Sequence, residues 1–145
     1  MAAKSTAYAT WEHDLLKGNG TVRPETGAFG TLPVTWSARS EQHNGKTSPE
    51  ELLAAAHASC YAMALSGGLG RLQKPADRLN VTATATFDKV GDAWKVTTMD
   101  LSVVGKVPGI TAAQFEEAAH AAKDGCPISK ALHGNVQVNL TAKLE

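Results

Sequence analysis

The sequence is poor in cysteine, and it lacks the motifs that paired cysteines usually form. Its 145 residues include only Cys60 and Cys126, and there is no C-x-x-C. Neither a thioredoxin-type motif nor half of a zinc knuckle is therefore present. A small secreted scaffold would carry more cysteines at closer spacing. In a reducing compartment, two distant cysteines are either two buried apolar side chains or a redox pair, and composition does not choose between them.

An excess of one charge is also lacking. The 14 Lys and Arg residues balance 14 Asp and Glu residues without a basic cluster, which argues against nucleic acid or an anionic membrane surface as a partner. The start, MAAKSTAYATWEHD, has no apolar core of a signal peptide, and no apolar run approaches the ~20 residues that span a bilayer. No G-x-G-x-x-G or Walker-type loop supports a nucleotide cofactor. We expect a soluble, cytoplasmic protein of one domain, residues 1–145.

Alternating apolar residues and turn signals predict the order of the strands and helices. The order βββ-α-ββ-αα-β predicts an α+β fold with antiparallel sheets around a long central helix that is buried almost all round. The predicted strands are residues 7–13, 21–24, 32–39, 79–90, 94–107 and 136–144, and the predicted helices are residues 47–66, 111–125 and 127–133.

The central helix, TSPEELLAAAHASCYAMALS, opens with two glutamates. Ser48 and Glu51 have the spacing of a capping box, which explains Glu51. Glu50 complements the positive end of the helix dipole, but a capping box needs only one acidic residue, so the box does not explain Glu50. Further along, His57 lies one turn before Cys60 and is a candidate base or metal ligand. A single histidine on an apolar helix is, however, more often simply packed and hydrogen-bonded.

The two cysteines have different local settings. Cys126 stands just before Pro127, at the start of a predicted helix, where backbone N–H groups favour a thiolate. Cys60 lies in an apolar helix, where burial raises the pKa of a thiol unless a positive charge is close. A guanidinium about 4 Å away would favour the thiolate by roughly 4 kcal/mol. Arg39, at the end of the strand before the helix, is the best placed arginine. On these local grounds Cys126 is the more activated thiol.

Four blocks of sequence combine these features in order: WEHDLLKGNGTV at residues 11–22, TWSARSE at 35–41, TSPEELLAAAHASCYAMALS at 47–66 and KDGCPISKAL at 123–132. Together they resemble the osmotically inducible protein C / organic hydroperoxide resistance (OsmC/Ohr) family, nearly end to end. The chain is more similar to the osmotically inducible branch. In that branch the key arginine lies on the strand before the central helix, where Arg39 stands.

The resemblance implies a thiol peroxidase of oxidative and osmotic stress defence that reduces organic hydroperoxides to alcohols. Cys60 matches the peroxidatic cysteine, which forms a sulfenic acid, and Cys126 matches the cysteine that resolves it as a disulfide. Arg39 matches the activating arginine, and Glu50 matches the carboxylate that holds it, with Glu51 as a second candidate. No metal or prosthetic group is implied. The partners implied are a second copy in an intertwined homodimer, with active sites at the subunit interface, and an external dithiol reductant of the lipoyl type.

The distance between Glu50 and Cys60 along the central helix bears on whether one or two subunits form the active site. Glu50 and Cys60 are ten residues apart, which is about 15 Å along a helix at 1.5 Å per residue. Neither side chain spans that distance, so a Glu50 close to Cys60 requires a bridging arginine or a second subunit. We favour the second subunit.

Three other interpretations remain open from the residues alone. A non-catalytic module could hold zinc or another ligand with Cys60, His57 and Cys126, although it lacks a convincing fourth ligand. Two structural cysteines would have ordinary pKa values and would not react with peroxide. A Cys60–His57 acyl-transfer pair needs an oriented base and an oxyanion site, and no motif indicates either.

Overall fold

The computed structural model describes all 145 residues. Contacts along the chain divide it into two compact units, Met1–Leu52 and Leu53–Glu145. The division falls inside the longest helix, which spans Pro49–Arg71.

The first unit contains a three-stranded antiparallel sheet in the order β1-β2-β3. Its strands are β1 (Ala7–Glu12), β2 (Asn19–Pro24) and β3 (Leu32–Val34). The turn between β1 and β2 is closed by Asp14, whose carboxylate accepts the backbone N–H groups of Leu16 at 2.9 Å and Lys17 at 2.8 Å. Such an Asx turn is a local hydrogen-bonding pattern. The predicted meander of three strands is confirmed.

The third strand is shorter than predicted, and a helix follows it. Helix α1 (Trp36–Ser40) begins after Thr35, whose hydroxyl accepts the N–H of Ala38 at 3.2 Å. The prediction of a strand over residues 32–39 is therefore wrong beyond Val34. Arg39 lies in the last turn of α1 rather than on a strand. The N-cap threonine was the available signal, since a threonine hydroxyl that caps the next turn favours helix over strand.

Helix α2 (Pro49–Arg71) begins after Ser48, which caps it as predicted, and it ends five residues beyond the predicted end at residue 66. Its capping differs from the prediction in one detail. The Ser48 hydroxyl accepts the N–H of Glu51 at 3.1 Å. The Glu51 carboxylate, however, accepts the hydroxyl of Thr47 at 2.6 Å rather than the N–H of Ser48. Only half of the predicted capping box is therefore formed.

One stripe of α2 is buried in the single chain, not the whole helix. The residues of the second unit in this stripe recur every three or four positions: Ala54, His57, Tyr61, Leu65 and Leu69. On the other side Met63 is 69% exposed, so the prediction of a helix buried all round is wrong for the isolated chain. Helix α2 is also long and apolar enough to cross a membrane, judged by its length and composition alone. Core helices of soluble proteins meet the same criteria, so this is weak evidence for a membrane.

The second unit contains a three-stranded sheet in the order β4-β5-β6. Strands β4 (Arg78–Val90) and β5 (Ala93–Lys106) form the predicted antiparallel hairpin, with one register shift between Thr86 and Phe87. Strand β6 (Gln137–Leu144) pairs with β5 in parallel, which corrects the prediction of wholly antiparallel sheets. Two helices separate β5 from β6, and a parallel neighbour requires a long crossover of this kind.

The crossover consists of α3 (Ala112–Gly125) and α4 (Pro127–Leu132). The predicted capping box of α3 is confirmed, because Thr111 and Gln114 exchange both of its hydrogen bonds at 3.2 and 3.1 Å. Buried side chains of α2, α3 and β5, including Leu65, Phe115 and Met99, form the core of this unit. The core thus fixes the central part of α2 relative to the start of α4.

Candidate active site

The two cysteines lie together in the second unit. Their Sγ atoms are 3.2 Å apart, and both thiols are free. Cys60 is in the middle of α2 and is partly exposed, whereas Cys126 is fully buried between the end of α3 and the start of α4. A disulfide needs a sulfur–sulfur distance of about 2.05 Å. A small movement of either helix would therefore suffice to join the two sulfurs.

The two thiols have opposite pKa shifts. Burial raises the pKa of Cys126, but the N–H groups of Ser129 and Ile128, the Ser129 hydroxyl and the neighbouring Cys60 outweigh burial, so the net pKa lies below the ordinary value. The Cys126 side chain, at the N-cap of α4, forms no helix-capping hydrogen bond. Burial raises the pKa of Cys60, and the adjacent Cys126 raises it further.

A second side-chain pair links α2 and α4 beside the cysteines. His57 is fully buried, and its Nε2 lies 2.8 Å from the Oγ of Ser129, while its Nδ1 has no hydrogen-bond partner. Burial lowers the pKa of His57, so the imidazole is neutral at ordinary pH. Sequence reasoning missed Ser129. The sequence did contain a signal for Ser129. It lies three residues after Cys126 at the start of a helix, and this spacing places both side chains on one side of the first turn.

The buried histidine predicts a pH-dependent stability. A histidine with a depressed pKa in the folded state contributes stability that is present above the unfolded pKa of about 6.5 and lost as pH falls through the folded pKa. We expect the free energy of unfolding to decrease from about pH 7 to about pH 5, and to decrease less in His57→Gln. Urea unfolding of both proteins at a series of pH values measures this. Equal pH dependence in both would contradict it.

An ion pair is formed within the first unit. The Arg39 guanidinium donates from Nε to the two carboxylate oxygens of Glu50 at 3.0 and 3.2 Å, and from Nη2 to Oε1 at 2.8 Å. The Glu50 side chain is 8% exposed and that of Arg39 is 35% exposed. Charged, multidentate hydrogen bonds of this kind offset the cost of burying a carboxylate. Glu51 is exposed and bonds to Thr47 instead, so Glu50 is the carboxylate that holds the arginine.

The zinc interpretation lacks a ligand set in this structure. No three His, Cys, Asp or Glu side chains come together in an arrangement that would hold a metal ion. The only polar contact of His57 is to Ser129 rather than to a sulfur. The cysteine pair by itself provides two ligands, where a structural zinc site needs four.

A groove of about 720 Å³ lies beside the site within the second unit. Its walls include Met63, Ala64 and Gly67 of α2, Ala121 of α3, and Pro127. Neither cysteine lines it. The groove is therefore adjacent to the sulfur pair and is not the place where the thiols meet.

Comparison with known proteins identifies the family. The model of the family described as OsmC-like protein matches residues 42–141, which include both cysteines. The chain belongs to the OsmC-like family. It is 36% identical over 143 residues to the peroxiredoxin OsmC of Escherichia coli K12, covering 99% of each protein. It is 32% identical over 104 residues to the organic hydroperoxide resistance protein OhrA of Bacillus subtilis, covering 70% of this chain and 71% of that one. The longer match fits the osmotically inducible branch of the family.

Solved structures of the OsmC-like family share the fold. An organic hydroperoxide resistance protein from Elizabethkingia anophelis superposes with a TM-score of 0.78 over 100% of both chains, at 24% identity. A likeness at this identity concerns the fold alone. It confirms the predicted α+β class.

Proposed function

We propose that this protein is a cysteine-based peroxidase of stress defence that reduces organic hydroperoxides to alcohols. The observation that carries the proposal is the pair of free sulfurs 3.2 Å apart, one partly exposed and one buried. Membership in a family with relatives named peroxiredoxin and organic hydroperoxide resistance protein supports it. The proposal includes a soluble, cytoplasmic location, where thiols are kept reduced.

Cys60 is the proposed nucleophile. Its thiolate attacks the nearer oxygen of the peroxide, the O–O bond breaks, and the departing alkoxide takes up a proton to become the alcohol. Cys60 is left as a sulfenic acid. A peroxide must reach the sulfur along the O–O axis, and the partial exposure of Cys60 permits this approach, whereas the full burial of Cys126 does not.

Cys126 is the proposed resolving residue. Its thiolate attacks the Cys60 sulfur, a disulfide forms, the S–O bond breaks, and hydroxide leaves and is protonated to water. The lowered pKa of Cys126 suits this second step, because the attacking sulfur must be ionised while buried. An external dithiol, of the lipoyl type, then reduces the disulfide by two successive thiol–disulfide exchanges. No metal or prosthetic group takes part in these steps.

Arg39 is proposed to ionise Cys60 and to bind the distal peroxide oxygen, with Glu50 fixing the guanidinium by its three short hydrogen bonds. Glu50 and Cys60 are ten residues apart in sequence, or about 15 Å of helix axis. We therefore propose that Arg39 of the partner subunit serves Cys60 in an intertwined homodimer. The exposed apolar side of α2, where Met63 is 69% exposed, is a surface that a second copy would cover.

Substrate preference tests the function directly. Purified reduced protein is expected to consume cumene hydroperoxide with dihydrolipoate as electron donor, and to consume hydrogen peroxide more slowly. Met63, three residues after Cys60 on α2, has an exposed apolar side chain, and apolar contact favours the larger substrate. A coupled assay of peroxide loss measures both rates. No consumption of either peroxide would remove the proposal.

A further inference from the structure

The two links between α2 and α4 have the same spacing on both helices. Cys60 faces Cys126 at 3.2 Å, and His57, three residues earlier on α2, faces Ser129, three residues later, at 2.8 Å. The second link is fully within the core, since His57 is 0% and Ser129 8% exposed. A buried neutral hydrogen bond of this kind holds two helix turns at a fixed separation. Disruption would leave a second buried polar group without a partner beside the orphaned Nδ1.

We propose that His57 and Ser129 are a positioning pair for the resolving cysteine: His57 donates its Nε2–H to the Ser129 oxygen, and the Ser129 hydroxyl donates to the Cys126 sulfur. The inference rests on the proposed function of Cys126. It assigns a role to a buried histidine that neither the peroxide step nor the arginine pair uses.

The number of protons decides the direction of these hydrogen bonds. A serine hydroxyl has one proton, so it donates either to His57 or to Cys126. When Cys126 is ionised for its attack, its charged sulfur attracts that proton more strongly than a neutral imidazole nitrogen does. Ser129 lies three residues after Cys126 in the first turn of α4, which places its hydroxyl and the Cys126 sulfur on one side of that turn. The Ser129 side chain is also one of the groups that lower the pKa of Cys126. His57 must then carry its proton on Nε2, so the unpartnered Nδ1 is a bare nitrogen and no buried N–H is left without an acceptor.

The arrangement prepares the disulfide step. The sulfurs must approach from 3.2 Å to about 2.05 Å, and the Cys126 thiolate must be oriented toward Cys60 during the approach. After the disulfide forms, Cys126 is uncharged, and the Ser129 proton is free to turn toward His57. The pair therefore holds Cys126 most firmly in the reduced state, in which its attack is needed.

The first test measures the Cys126 thiolate without any peroxide. In a Cys60→Ser background, thiolate absorbance is titrated for the parent, Ser129→Ala, Ser129→Thr, His57→Leu and His57→Gln. We expect Ser129→Ala and His57→Leu to raise the pKa of Cys126, and Ser129→Thr and His57→Gln, which keep a hydroxyl or an Nε2–H donor, to stay near the parent. Tyr61, also on α2, interacts electrostatically with Cys126. Burial raises the pKa of the Tyr61 phenol, so Tyr61 stays protonated during the titration. A pKa unchanged in Ser129→Ala would overturn the proposal.

The second test separates the two chemical steps in the otherwise unaltered protein. After one equivalent of cumene hydroperoxide, time-resolved intact mass follows sulfenic acid formation and disulfide formation. Ser129→Ala is expected to slow disulfide formation about tenfold, the size of one charge-assisted hydrogen bond, while the first step is unchanged. The Ser129→Ala variant should also accumulate sulfinic acid at Cys60 when peroxide is in excess.

Controls distinguish positioning from a loss of folding and from a wrong function. Ser102→Ala removes an exposed hydroxyl from β5 and should change neither step. Equal slowing of both steps in Ser129→Ala, or full activity in Ser129→Ala and His57→Leu together, would overturn the proposal. A wild-type protein inert to peroxide would contradict the proposed function alone, because the thiolate titration would still decide whether the pair acts on Cys126.

Discussion

Replacing Cys60 with serine is expected to abolish reaction with organic hydroperoxides, whereas replacing Cys126 with serine should leave the first oxidation intact. Without the Cys60 sulfur, no partly exposed thiol remains at the site. Without Cys126, the sulfenic acid of Cys60 has no resolving partner and persists or is oxidised further. Intact mass after one equivalent of cumene hydroperoxide should show loss of two hydrogens in the wild type, one added oxygen in Cys126→Ser and no change in Cys60→Ser.

The opposite pattern would reassign the chemistry. If Cys60→Ser gained an oxygen and Cys126→Ser stayed inert, the more acidic thiol would be the nucleophile. No reaction in any of the three proteins would leave the cysteines structural. A circular dichroism spectrum of each reduced protein serves as the control for folding, since both positions are packed against the core of the second unit.

Solvent exposure favours Cys60 as the nucleophile, whereas a lower pKa favours Cys126. The mass measurement on the two serine variants therefore distinguishes which property decides the reaction. Cys126 has the lower pKa in the single chain, and Cys60 has the raised one. A buried thiolate that a peroxide cannot reach does not react with it, however acidic it is. We therefore expect an external charge to ionise Cys60 in the working enzyme. Arg39 of the partner subunit is the proposed source of that charge.

Replacing Arg39 with methionine is expected to lower the rate of Cys60 oxidation by about a hundredfold to a thousandfold, the effect of removing one preorganised donor from a transition state. It should also reduce stability by about 3 kcal/mol, because it leaves the buried Glu50 carboxylate unpaired. Arg39→Lys should not restore the rate, since an ammonium cannot reproduce the two-atom contact with Glu50. Stopped-flow oxidation and urea unfolding measure the two effects.

The double variant Arg39→Met/Glu50→Met separates stability from catalysis. It removes both charges, so the stability should largely return while the rate stays low. Recovery of the rate in this double variant would contradict a catalytic role of the arginine. Recovery of neither quantity would indicate that the ion pair mainly shapes the first unit.

Mixing two inactive variants tests the proposed sharing of residues between subunits. In a heterodimer of Arg39→Met and Cys60→Ser, the intact Cys60 of one chain can meet the intact Arg39 of the other. Unfolding and refolding the two together should therefore restore activity that each lacks alone. Two copies refolded separately and then combined briefly are the matched control. Failure to restore activity in verified heterodimers, or full activity of a monomer, would exclude the shared site.

Local signals in the sequence predict the elements whose hydrogen bonds are local. The hairpin of β4 and β5, the capping box at Thr111 and the start of α4 at Pro127 all depend on residues within a few positions of each other. The helix α1 was missed because LPVTWSAR has the alternation of a strand, and the capping hydroxyl of Thr35 was the weaker signal. The parallel pairing of β6 was missed because strand direction depends on the crossover, not on the strand.

The sequence by itself determined the family, the fold class and the choice of Cys60 and Cys126 as the candidate active-site cysteines, because these follow from ordered motifs and periodic patterns. Tertiary structure alone decided which carboxylate holds Arg39, which face of α2 is buried, and that His57 bonds to Ser129. Each of these depends on side chains from separate segments meeting in space. Helix α2 is apolar on all sides and carries two adjacent glutamates, so neither its periodicity nor its capping pattern could say which neighbours its residues would contact.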